Sequence, residues 1–133
     1  MSGMTQTFEV TLPASLHAPS MARDALRRSW PGGRRTDRGS DAELLVSELV
    51  TNCVRHAGLA EGRQISFVLA LAPEHLRVEV IDVGRGFSRL TSTGADRDSA
   101  SGWGLLLVER LSDDWGMSRS AEGETTVWFE MRL

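Results

Sequence analysis

Glu48, Asn52 and His56 fall at i, i+4 and i+8 in the segment ELVTNCVRHA, and at about 100° per residue that spacing lines them along one edge of a helix. Beside them Leu45, Leu49, Cys53 and Ala57 form an apolar stripe on the same helix. A carboxylate and an amide at such an edge have two readings. One is a half-exposed helical edge with a satisfied Asn, as many surface helices show. The other is a metal and acid-base stripe, in which the Asn oxygen is a hard, neutral ligand suited to Mg²⁺ already carrying phosphate oxygens. A Glu one turn away would then accept a proton from a nucleophile.

A second group, Asp82, Gly84 and Gly86, follows an apolar run directly as DVGRG. Asp and Gly are ordinary turn residues. An aspartate at a strand end also accepts a hydrogen bond from an exocyclic amine such as that of adenine, while glycines let a flat base approach the backbone. A third group, Gly102 and Gly104 in SGWGLLLVERL, either ends a flexible loop or leaves free amides at a helix N-terminus that attract phosphate.

The elements that would hold these groups follow from periodicity. Phe8, Val10 and Leu12 alternate with polar partners up to Pro13, a first strand. Pro19 opens a helix in which Met21, Ala22, Ala25, Leu26 and Trp30 fall near helical spacing until Pro31, and a polar loop covers residues 34–39. Ser40, with Glu43 three residues on, predicts a capping box and a second helix over residues 41–57, ending at Gly58. Ile65, Phe67, Leu69 and Leu71, then Leu76, Val78, Val80 and Ile81, predict a hairpin turning around residues 73–75. Residues 87–101 carry little apolar periodicity and read as a lid. A third helix over 103–111 and strands over 115–119 and 126–133 close the chain. The order β-α-α-β-β-lid-α-β-β predicts a two-layer α+β sandwich with one face of a mostly antiparallel mixed sheet covered by helices.

Composition removes several mechanisms. All 15 basic residues are Arg, so a P-loop, a pyridoxal Schiff base and a eukaryotic-type kinase, each of which needs a Lys, are excluded. The formal net charge of -3 does not supply the positive field of a non-specific nucleic-acid binder. Cys53 is the single cysteine, which excludes an intrachain disulfide and a multi-Cys zinc site. With apolar stretches far shorter than a membrane span, the expectation is a cytoplasmic protein with no membrane contact. The 133 residues suit one domain, 1–133, with a lid at about 87–101.

In combination, ELVTNCVRHA, DVGRG and GWGLLLVERL resemble the N, G1 and G2 boxes of the GHKL ATPase superfamily, whose fold is the Bergerat ATP-binding sandwich. The likeness continues through DDWGMS and the terminal ETTVWFEM, and is nearest to bacterial anti-sigma-factor serine/threonine kinases. The resemblance implies ATP and Mg²⁺ as cofactors, Glu48 as catalytic base, Asn52 as magnesium ligand and Asp82 as adenine reader. Gly84 and Gly86 would shape the base pocket, Gly102 and Gly104 the phosphate end, and Thr125 would support the adenine contact. It further implies a partner-switching pathway of transcription control, with a sigma factor or its phosphorylatable antagonist as partner and a homodimer as one assembly. Two positions depart from the family pattern. Trp103 stands where a basic residue is common and Glu124 where a Gly is common; Arg89 and Arg97 are candidates to supply the charge from the lid. The function implied is a regulatory protein kinase, the alternative a non-catalytic module whose lid ordering by ATP controls protein association.

Overall fold

Alternating side chains in three segments become a single buried face. The computed structural model describes residues 5–30, 37–57, 64–82, 100–121 and 124–133, with the backbone alone for residues 37, 56, 57 and 100–105. Its elements are β1 (Gln6–Pro13), α1 (Ala18–Ser29), α2 (Asp37–Ala57), β2 (Gln64–Ala72), β3 (His75–Asp82), α3 (Ala100–Leu111), β4 (Asp114–Arg119) and β5 (Thr125–Arg132). The strands form one sheet in the order β1-β2-β3-β5-β4.

All four pairings are antiparallel, so the mixed component expected from the sequence is absent among the described strands. β2 and β3 are joined through Pro73 and Glu74, where the hairpin turn is expected. The closing hairpin sets β5, not β4, against β3, with Asp82 opposite Thr125 and Val80 opposite Val127.

Ile65, Phe67, Leu69, Leu76, Val78, Val80, Val127, Phe129 and Met131 point to the helical side and are buried. Against them α2 buries Ala42, Leu45, Val46, Leu49, Val50, Cys53 and Val54, a stripe near the helical period. Removing each of the larger side chains from water stabilises the fold by about 1.5–3 kcal/mol. On α1 the buried positions Ala18, Ala22 and Ala25 are small, which lets that helix lie close to its neighbours, while Met21, expected on the apolar face, is 40% exposed. Two Arg contacts fix α1 to α2: Arg23 Nη1 donates to Ser47 Oγ at 2.8 Å, and Arg27 Nη2 lies 2.7 Å from Glu43 Oε1. Glu43, by its hydrogen bond first and its charge second, raises the Arg27 pKa above the ordinary guanidinium value.

The opposite face of the sheet is half-buried and polar. Arg77 stacks 4.2 Å from the centroid of the Trp128 ring and donates to Glu130 at 2.6 Å and to Glu79 at 3.1 Å. His75 Nε2 lies 2.8 Å from the second Glu130 oxygen. Trp128 covers Gly116 on β4, where a Cβ would stand 2.7 Å from the indole.

Two boundaries differ from the expectations. α2 begins at Asp37, so Ser40 is an exposed residue inside the helix rather than its cap, and Glu43 bonds Arg27 rather than closing a capping box. The added turn is held by Arg38, which reaches Leu111, Asp113 and Arg132; local cap chemistry gives way to these long-range contacts. α3 begins at Ala100, three residues before the expected start, so residues 100–101 at the end of the expected lid, and Gly102 at its junction with the helix, are helical. Residues 87–99 of that lid lie outside the described residues.

Candidate functional site

Among the described residues, the buried polar side chains are Asn52, Asp82 and Thr125, at 2%, 1% and 3% exposure. Sequence reasoning had named each of them. Burying an amide, a carboxylate and a hydroxyl is costly unless each has a partner, so their presence in an otherwise apolar interior demands a reason.

Asp82 and Thr125 owe their meeting to sheet register. Asp82 is the last residue of β3 and Thr125 the first of β5, and antiparallel pairing sets them opposite one another. Both continue the inward alternation of their strands, Val78, Val80, Asp82 and Thr125, Val127, Phe129, so the pleat that buries valines also turns the carboxylate and hydroxyl under the helices. Asp82 is engaged by other groups in the fold, and its Oδ2 is buried with no hydrogen bond from the described residues. A carboxylate oxygen in that setting suits an N–H donor of a ligand, such as an exocyclic amine.

Asn52 and Glu48 come from α2, and the direction of that helix is fixed at its start. Arg38 Nε donates to the Arg132 carbonyl at 2.9 Å, so α2 begins beside the far end of β5. From there Asn52 lies about 21 Å along the helix at 1.5 Å per residue, and Thr125 about 24 Å along the strand at 3.4 Å per residue. The two lengths are similar, and because α2 packs over β3 and β5, a helix running along those strands carries Asn52 toward the end of the sheet where Asp82 and Thr125 are. Glu48, one turn earlier, is half-buried. The stripe seen in the sequence is therefore not an exposed edge at Asn52, although Glu48 keeps access to solvent.

α3 runs the other way. Its last carbonyl, Leu111, accepts from Arg38 Nη1 at 3.3 Å, so its first turn, with Gly102, lies toward the half of α2 that carries Glu48 and Asn52, and Gly104 falls just inside the helix, its N–H in the helical ladder. Asp82 and Thr125 are register partners on the sheet, Asn52 and Glu48 lie on the helix that packs over it, and α3 packs against that helix. The Asn oxygen and the free amides of a helix start are the groups that suit a metal-bound phosphate chain. Gly84, Gly86, Arg89 and Arg97 lie outside the described residues, as does the side chain of His56. Sequence reasoning missed Arg38, whose partners are far away in the chain and leave no local signal.

The family of histidine kinase-like ATPase domains matches residues 12–131, from Leu12 in β1 to Met131 in β5, and the chain belongs to that family. ATP is the nucleotide that membership implies, and the α+β sandwich agrees with the GHKL ATPase fold. Among similar curated proteins, serine-protein kinase RsbW of Staphylococcus aureus strain bovine RF122 / ET3-1 and that of strain MRSA252 are each 28% identical over 127 residues, 86% of this chain and 80% of theirs. RsbW of strain JH9 is 27% identical over 128 residues, with the same coverage. No helix among the described residues is long and apolar enough to cross a membrane.

Proposed function

We propose that the chain is an ATP-dependent protein serine kinase of the anti-sigma-factor type, acting on a partner protein in a partner-switching pathway of transcription control in the cytoplasm. The observation that carries this reading is the burial of Asn52, Asp82 and Thr125 together in an otherwise apolar interior. The similarity to serine-protein kinase RsbW over most of the chain supports the choice of serine as acceptor and of a protein as substrate.

In this reading Asp82 accepts a hydrogen bond from the adenine amine, Thr125 supports that contact, and Asn52 holds Mg²⁺ through its side-chain oxygen. Bound there, the ion would supply positive charge to offset that of the phosphates. Gly84 and Gly86 shape the base pocket, the free amides of the α3 start around Gly102 take the phosphates, and Gly104 completes the phosphate end without a side chain in the way. The partner's serine oxygen bonds to the terminal phosphorus while the bond from that phosphorus to the bridging oxygen breaks, and ADP departs. Glu48 receives the serine proton. The partner is a sigma-factor antagonist carrying the serine, with a sigma factor as the second partner that the phosphorylation releases or retains.

The experiment is incubation of the protein, with partners captured from its native host, in ATP labelled at the terminal phosphate. Label on a partner serine is the expected result. ATP binding with no transfer to any captured protein would favour the alternative, a non-catalytic module in which the nucleotide controls association.

A further inference from the structure

Arg38 uses all three guanidinium nitrogens in a single clasp. Nε donates to the Arg132 carbonyl at 2.9 Å, Nη1 to the Leu111 carbonyl at 3.3 Å, and Nη2 to Asp113 Oδ2 at 2.7 Å. That same Asp113 oxygen accepts from the Arg132 backbone N–H at 2.6 Å, and the Asp113 N–H donates to the Glu130 carbonyl at 2.9 Å. One side chain thus fastens the first turn of α2, the last carbonyl of α3 and the end of β5. It lies at the opposite end of the sheet from Asp82 and Thr125.

The consequence concerns length. Measured from the clasp, the first turn of α3 at Gly102 lies about 13.5 Å along its helix and Glu48 about 15 Å along α2. Both distances start from the same guanidinium. Asp82 and Thr125 are held differently, by the hydrogen-bonded ladder of β3 and β5, at the end of the sheet away from Arg38. From these contacts we infer that Arg38 is a positioning residue: it sets the longitudinal register of α3 against α2, and so the placement of the α3 amides relative to Glu48 and Asn52. It touches no substrate. A planar fork reaching three acceptors is also a role Lys cannot reproduce, since an ammonium acts as a point charge.

The inference rests on the nucleotide-site reading above and makes a selective claim: the phosphate end should loosen while the adenine end stays. The test titrates adenosine, ADP and ATP, with Mg²⁺, into wild type, Arg38→Lys, Arg38→Ala and Asp113→Asn. Loss of register at a helix start should weaken ATP roughly tenfold, with adenosine affinity unchanged within twofold. Arg38→Lys, which keeps the charge, should show the same selectivity at smaller size, and it remains informative if Arg38→Ala does not fold. Without nucleotide, Arg38→Lys should speed amide hydrogen exchange in α3 and leave β2 and β3 unchanged. Equal losses for adenosine and ATP, unchanged ATP affinity in all three variants, or unchanged exchange in α3 would each overturn the positioning role while leaving the nucleotide site standing. A wild type that binds none of the three ligands would overturn both.

Discussion

Asp82 and Thr125 face each other directly across β3 and β5, the last residue of one strand against the first of the other, and both are buried. Two consequences follow from sheet geometry. The ladder fixes the Cα positions of both residues, and any group between them and α2 meets a carboxylate and a hydroxyl at once. Thr125→Val keeps the β-branched shape and removes only the hydroxyl. It should leave thermal stability within about 1 kcal/mol while weakening ATP, and the paired measurements are a melting curve and a calorimetric titration. A variant with lower stability and unchanged ATP affinity would return Thr125 to a purely structural role.

Asn52 separates metal from base. Asn52→Ala should weaken Mg-ATP more than metal-free ATP, because the side-chain oxygen is proposed to touch the ion. The substitution also leaves partners of a buried amide unsatisfied, so unfolding in urea should show a loss of about 1–3 kcal/mol. Equal weakening with and without Mg²⁺ would point to the helix, not the ion.

Glu48 separates chemistry from binding. Its half-exposed carboxylate one turn before Asn52 has no required contact with adenine. Glu48→Gln retains size and hydrogen bonding without basicity, so ATP affinity should persist while transfer to a partner serine slows by roughly 10² to 10⁴. Transfer at the wild-type rate would keep the kinase and remove Glu48 as its base.

Far from the site, Gly116 tests the outer face of the sheet. A methyl there would stand 2.7 Å from the Trp128 ring, and that indole is itself stacked under Arg77. Gly116→Ala should destabilise by about 1–3 kcal/mol, in the range of overpacking, and shift Trp fluorescence. Full stability would show that Trp128 turns away at little cost.

What the sequence made legible follows from the physics of each signal. One-sided burial of an antiparallel sheet writes itself as alternation, so Ile65 to Leu71 and Leu76 to Ile81 could be read as strands whose inward residues are now buried. Helical period likewise exposed Leu45, Leu49 and Cys53. The candidate residues Asn52, Asp82 and Thr125 were legible as motif positions, but nothing local says that a strand end and a strand start far along the chain will be register partners. The start of α2 was misread for the same reason. Ser40 and Glu43 carry a sound local capping signal, yet Arg38 finds acceptors on α3, its exit and β5, and those contacts extend the helix by a turn. Met21 satisfies helical spacing and is still exposed, because spacing names a face without naming its neighbour.

Calorimetric titration of wild type and Asp82→Asn with Mg-ATP and Mg-GTP decides whether the buried trio forms an adenine nucleotide site. Wild type should bind ATP and much prefer it to GTP, whose exocyclic oxygen cannot donate to a carboxylate. Asp82→Asn should weaken ATP by about 1.5–3 kcal/mol, the scale of one charge-assisted hydrogen bond. Equal affinity for GTP and ATP, or an Asp82→Asn variant that binds ATP as tightly as wild type, would contradict that site.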